Sequence, residues 1–120
     1  MSATPRAIEL ARAAAAAAQD KLAQDVLALD VTGQLALTDI FVIASAPNER
    51  QVTAIVDAVT ERLAMDQVKP LRREGVREAR WVLLDFSDII VHVMHEQDRK
   101  YYELERLWKD CPDIAVSATT

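Results

Sequence analysis

A chain of 120 residues that is 51% hydrophobic and 28% charged has the composition of one globular domain with one core. Its net charge of −5 opposes direct binding to phosphate backbones, whose affinity comes largely from Lys and Arg, and makes a basic protein the better class of partner. No apolar run reaches the ~18 residues that cross a bilayer, the alanine-rich start lacks a signal-peptide pattern, and the single cysteine, Cys111, supplies neither an internal disulfide nor a cysteine-based metal site. No membrane association and a cytoplasmic location are expected.

Thr4-Pro5 opens a helix, with Thr4 as N-cap and Pro5 at the first helical position, where its missing N–H is not needed. This helix runs to about Leu22 with Ile8, Ala11, Ala15, Ala18 and Leu22 as its packing stripe, and such small side chains require close packing. Asp25 to Val31 reads as a strand, with Val26, Ala28 and Asp30 on one side and Leu27, Leu29 and Val31 on the other. Thr32-Gly33 turns the chain. Ile40 to Ala46 is a continuous run of apolar and small residues and reads as a neighbouring central strand buried on both faces. Asn48, with Gln51 three residues on, starts a second helix, whose core face is Val52, Ile55, Val56, Val59 and Leu63. Lys69 to Glu74 reads as a short strand. Its basic cluster of Lys69, Arg72, Arg73, Arg77 and Arg80 is either a solvated edge that discourages pairing between molecules or a contact with RNA.

Ser87-Asp88 lies between two apolar runs and predicts a tight hairpin pairing Phe86 with Ile89, Leu84 with Val91 and Val82 with Val93. Those six residues line one face, a pure core. The opposite face carries Asp85 with Ile90, Leu83 with His92 and Trp81 with Met94. Aromatic and Met residues around a few polar groups have the composition of a protein-binding surface, or of a face covered by a second helical layer. Asp98 to Trp108 reads as a helix with Tyr101, Leu104 and Leu107 or Trp108 on one face, stopped by Pro112. The order α-β-β-α-β-β-β-α predicts an α/β (α+β) fold: a single mixed sheet of about five strands with three helices, one domain over 1–112, and a frayed tail over 113–120.

The chain offers little for chemistry. His92 and His95 are three apart on a strand and point to opposite faces, so they do not share a metal. The element order is similar to the small sheet of nucleotidyltransferases, which need converging carboxylates on magnesium. Here Asp39 has no second carboxylate two residues along, and with only Gly33 and Gly75 no glycine-rich loop can cradle a phosphate. Ser45 and Ser87 lack a histidine-based activation pattern, and Asp85 with Asp88 is more often turn chemistry than an acid/base pair. No catalytic residue, metal or cofactor is expected. The alternative is a degenerate nucleotidyltransferase-like domain that keeps magnesium-nucleotide binding through Asp39, Asp85 and Asp88.

From Arg6 to Pro112 the chain resembles the ribosomal silencing factor family, also called RsfS or Iojap. The likeness rests on DIFVIAS (Asp39 to Ser45), RQV (Arg50 to Val52), Lys69-Pro70, Glu74-Gly75, RWVLLD (Arg80 to Asp85), DIIVHV (Asp88 to Val93), His95-Glu96, Tyr102 and LERLW (Leu104 to Trp108). Each piece is weak alone; their order and spacing are specific. Ile40 stands where the family usually has Tyr, Ala46-Pro47 replaces a Gly-containing loop, and Met94 stands where Phe is frequent. The first and last keep apolar character; Pro47 stiffens the entry to the second helix and puts that loop's contacts in doubt. The resemblance implies a nucleotidyltransferase-like fold without the activity and a homodimer when free. It also implies a non-enzymatic factor that binds the large ribosomal subunit through ribosomal protein L-fourteen, blocks joining of the small subunit and represses translation under nutrient limitation. It carries a partner-binding role to Trp81, Leu83 and Asp85, which also fall on the mixed face, to His92 and Met94 by strand pairing, and to Tyr102 by the helix motif.

Overall fold

The computed structural model describes residues 2–116. The elements in chain order are α1 (Pro5–Asp20), β1 (Gln24–Asp30), β2 (Ile40–Ala46), α2 (Glu49–Ala64), β3 (Arg72–Glu74), β4 (Trp81–Asp85), β5 (Ile89–His95), α3 (Glu96–Tyr102) and α4 (Leu104–Leu107). The strands form one mixed sheet in the order β1-β2-β5-β4-β3. Only the central pair, β2 with β5, is parallel; the other three pairs are antiparallel. The α2 crossover returns the chain in β3 along the direction of β2, and two antiparallel steps, β3 to β4 and β4 to β5, bring β5 back to that direction.

The hairpin pairs as its sequence predicts: Trp81 with Met94, Val82 with Val93, Leu83 with His92, Leu84 with Val91 and Asp85 with Ile90. The Phe86 amide closes it on the Ile89 carbonyl at 2.9 Å, with Ser87 at φ 76 as the left-handed turn residue. Val82, Leu84, Phe86, Ile89, Val91 and Val93 are all buried and share one core with α1, α2 and the inward residues of β2. Each such side chain removed from water contributes roughly 1.5–3 kcal/mol.

Thr4 caps α1 by accepting the Ala7 amide at 3.1 Å, with Pro5 in the first turn. The helix ends at Asp20, two residues short of the expected stop, because Leu22 sits at φ 63. Leu22 is therefore 76% exposed instead of packed. The buried stripe is broader than expected, with Ala7, Leu10, Ala14 and Ala17 joining Ala11, Ala15 and Ala18, which lets α1 approach its neighbours closely. Asn48 caps α2 through the Gln51 amide at 2.8 Å. The Gln51 side chain in turn donates to the Lys21 and Leu22 carbonyls and ties the two helix ends together. All five expected core residues of α2 are buried.

The C-terminal third departs most from expectation. Glu103 adopts the left-handed conformation, φ 48, and splits the expected helix into α3 and α4. The break rotates the second turn, so Leu104 is buried while Tyr101 and Leu107 face solvent. The expected tail is held from its start: the Asp30 amide donates to the Pro112 carbonyl at 2.8 Å and the Ile114 amide to the Ala28 carbonyl at 2.9 Å. Arg12 Nε donates to the Ala115 carbonyl at 3.0 Å, and Val116 is buried in the core. Residues 117–120 of that expected tail lie outside the described residues.

Candidate partner-binding surface

Strand registers set the face opposite α1 and α2 in rows. One row runs Leu29, Phe41, Ile90, Asp85, Arg72; the next runs Leu27, Ile43, His92, Leu83, Glu74; a third holds Ser45, Met94 and Trp81. The rows are apolar or small at β1 and β2, and apart from Leu83 they are polar or amphipathic at β4 and β3. The C-terminal segment covers the first half: Leu104 and Cys111 are buried there, with Trp108 edge-on to Phe41 at 5.0 Å between ring centroids. The second half stays open. Trp81, Leu83, Asp85 and Ile90 are half-buried, with Arg72 and Glu74 exposed beside them.

This divides the six residues expected on the surface. Trp81, Leu83 and Asp85 lie on the open half, and Tyr102 at its rim is 51% exposed. His92 and Met94, expected to be exposed with them, are 4% and 0% exposed. They sit on the middle strand, where the second layer and the neighbouring strands close over them. The second helical layer read from the sequence as one alternative thus covers half of the face, and the other half is open.

The open half is built on aromatic contacts. Trp81 packs on Tyr102 at 5.0 Å between ring centroids, and Tyr102 meets Tyr101 edge-on at 4.9 Å. Trp81 Nε1 donates to His92 Nδ1 at 3.0 Å. Phe41 meets the same imidazole edge-on at 4.9 Å. Burial pushes the His92 pKa down to about 4, so near neutral pH the ring is uncharged and Nδ1 is free to accept.

Arg80, read from sequence as part of an edge cluster, is instead a clamp. Its Nε donates to Asp98 at 3.0 Å, Nη1 to Glu49 at 3.4 Å and Nη2 to Gln97 at 3.4 Å, joining β4 to the starts of α2 and α3. Hydrogen bonding by Asp98, set against partial burial, raises the Arg80 pKa. The backbone amide of Glu49, opposed by desolvation and aided by Arg80, lowers that of the Glu49 carboxyl. His95 caps α3 by accepting the Gln97 amide on Nδ1 at 3.1 Å. Its Nε2 lies 3.9 Å from Glu49. Arg72 pairs with Glu74 at 3.0 Å and lies 3.8 Å from Asp85, leaving Lys69, Arg73 and Arg77 as the outward cations of the cluster.

Two of the three carboxylates that a nucleotide site would use, Asp39 and Asp85, are engaged in holding backbone, and Asp88 is exposed in the hairpin turn. Asp39 accepts the Thr4 amide at 2.9 Å and Asp85 accepts the Ser87 amide at 2.9 Å. Asp30 likewise accepts the Ala3 amide at 2.8 Å and the Thr32 hydroxyl at 2.6 Å. Burial opposes ionisation of Asp30, but these bonds outweigh it and hold its carboxyl below the usual range. Among the described residues, no group of three or more His, Cys, Asp or Glu side chains is placed to hold a metal. Nor is any helix among them long and apolar enough to cross a membrane. An open cleft of about 720 Å³ lies at the other end of the covered half. Arg99 on its floor is occupied by Ser45 at 3.1 Å, the Gln24 carbonyl at 3.3 Å and Glu105 at 3.0 Å.

A sequence profile described as ribosomal silencing factor during starvation matches residues 4–120. The chain belongs to the ribosomal silencing factor family. The ribosomal silencing factor RsfS of Bacillus subtilis (strain 168) is 43% identical over 99 residues, covering 82% of this chain and 84% of that protein. That of Halalkalibacterium halodurans is 41% identical over 109 residues, covering 90% and 92%. A crystal structure from Chromobacterium violaceum superposes with a TM-score of 0.82 at 33% identity, over 93% of this chain and 94% of that one. The mixed five-stranded sheet expected from the sequence is thus the fold of solved relatives of the silencing-factor chain.

The sequence reading missed the aromatic contact of Tyr102 with Trp81 and the Arg80 clamp. Both depend on where α3 docks. The only signal in the chain was the adjacency of Arg80 to Trp81, together with the acidic first turn that follows His95.

Proposed function

We propose that this silencing-factor chain acts without chemistry, by occupying a surface of the large ribosomal subunit through ribosomal protein L-fourteen. In this reading it blocks joining of the small subunit and lowers translation when nutrients are short. The observation that carries it is the open half of the mixed face, where a half-buried tryptophan is braced by Tyr102 on one side and by His92 beneath. Aromatic anchors in a partly apolar patch are the residues that dominate protein–protein affinity. Asp85 and Glu74 at the edge of the patch, with the net charge of −5, favour a basic partner. Contact with ribosomal RNA through Lys69, Arg73 and Arg77 is a secondary part of the reading, as is a homodimer of the free chain. Saturable sedimentation with isolated large subunits, not with small ones, and loss of subunit joining in the same mixture are expected. Absence of pelleting with large subunits would refute it.

A further inference from the structure

The indole N–H of Trp81 is a donor only, and its acceptor is a histidine that no partner can touch. His92 is 4% exposed, enclosed by Phe41 on the covered side and by Trp81 itself on the other. For Nδ1 to accept, the ring must be neutral with its proton on Nε2, yet Nε2 is buried and among the described residues has no hydrogen-bond partner. A core position that needed only volume would be filled better by Leu or Phe, since a buried polar atom without a partner destabilises the fold. Among the described residues, the one hydrogen bond this imidazole makes is with the indole. That indole is half-buried on an open face, where a tryptophan with two free torsions would otherwise sample several rotamers.

We infer that His92 is a positioning residue for the partner surface: its Nδ1 fixes the Trp81 indole in the orientation that leaves Trp81 and Tyr102 side by side as one preformed aromatic platform. The inference rests on Trp81 being a partner contact. It assigns His92 no contact of its own and explains how a buried residue governs binding. An anchor held in its bound rotamer before the encounter loses less entropy on docking, and a freed side chain weakens binding by up to about tenfold.

The test compares His92→Phe, which keeps a ring and removes the acceptor, with His92→Asn, whose side-chain oxygen reaches about where Nδ1 lies. Three quantities are read on the full chain: cooperative thermal unfolding, the Trp81 indole N–H resonance in a ¹⁵N spectrum (assigned with Trp108→Phe), and co-sedimentation with large subunits. His92→Phe is expected to fold, to shift and broaden the indole resonance, and to weaken sedimentation about tenfold. His92→Asn is expected to restore both readouts to within about twofold of the parent in affinity. If His92→Phe does not unfold cooperatively, His92→Leu takes its place. Should both apolar variants lose the fold, His92→Asn alone decides, since a shifted resonance and weak binding in that folded variant overturn the inference. Parental binding by the folded apolar variant while Trp81→Ala loses binding also overturns it and leaves the functional reading intact. Parental binding by Trp81→Ala overturns the functional reading itself.

Discussion

Gly75 lies with its Cα against the backbone carbonyl of Trp81, so closely that a Cβ on Gly75 would fall well inside the van der Waals radius of that oxygen. Its φ of +76 is also one that side chains disfavour. Gly75→Ala therefore meets both a left-handed penalty of about 1 kcal/mol and a clash with backbone that has no rotamer to escape by. We expect a loss of roughly 2 kcal/mol or more, read as a lower urea midpoint, together with displacement of the Trp81 strand end. An unchanged midpoint would show that the turn relaxes freely.

Trp81→Ala should weaken sedimentation with large subunits about thirtyfold, from a truncation loss of ~2 kcal/mol at an interface anchor. Folding should suffer less, because the indole is only half-buried. Tyr102→Ala should weaken binding in the same direction by a smaller factor. Unfolding severe enough to account for the loss would return Trp81 to the core. Light scattering on the same variants separates weakened ribosome binding from a change in self-association.

The sign of the His92 effect on stability follows from its lowered pKa. The unfolded chain protonates its histidine near 6.5, whereas the folded chain resists until about 4. Between these values the unfolded state binds more protons, so stability is fully present above pH 6.5 and falls as pH drops towards 4. The total loss is about 3 kcal/mol at ~1.4 kcal/mol per unit. Chemical unfolding at pH 7 and pH 4.5 should show a smaller difference in His92→Asn than in the parent. Equal pH slopes in the two chains would contradict the buried neutral imidazole.

Arg80 and Asp98 should behave as a structural pair. Arg80→Gln is expected to raise hydrogen exchange in α3 and loosen Tyr102 from Trp81, while leaving the salt dependence of ribosome binding unchanged. Arg73→Gln and Arg77→Gln should leave exchange unchanged and flatten the salt slope by about one unit for each phosphate no longer neutralised. A change in slope for Arg80→Gln alone would make it an RNA contact instead of a clamp.

The hairpin and α2 were legible in the sequence because period and turn chemistry act locally. Alternation from Trp81 to Met94 fixed which residues face each way, and Ser87-Asp88 fixed the register. Asn48 and the spacing from Val52 to Leu63 did the same for α2. What alternation cannot say is which face gets covered. That depended on Glu103, a good helix former that the tertiary context holds in a left-handed turn, and on Arg99 reaching Ser45 and the Gln24 carbonyl across the sheet end. The same docking buries His92 and Met94 and leaves Trp81 and Leu83 open, so the candidate surface was readable as a set of strand neighbours but not as a set of exposed residues.

The stretch from Pro112 to Ile114, laid along β1, has a consequence for how copies of this chain can meet. With the Ala28 to Asp30 end of that rim paired and the opposite rim reduced to three residues, Arg72 to Glu74, all charged, continuous strand exchange is disfavoured at both margins. Contact between two copies would then fall to side-chain surfaces, and a copy seated on the aromatic platform would exclude any other partner there. Removing the chain after Cys111 would free the Asp30 amide and the Ala28 carbonyl and lengthen the margin open to strand pairing between copies.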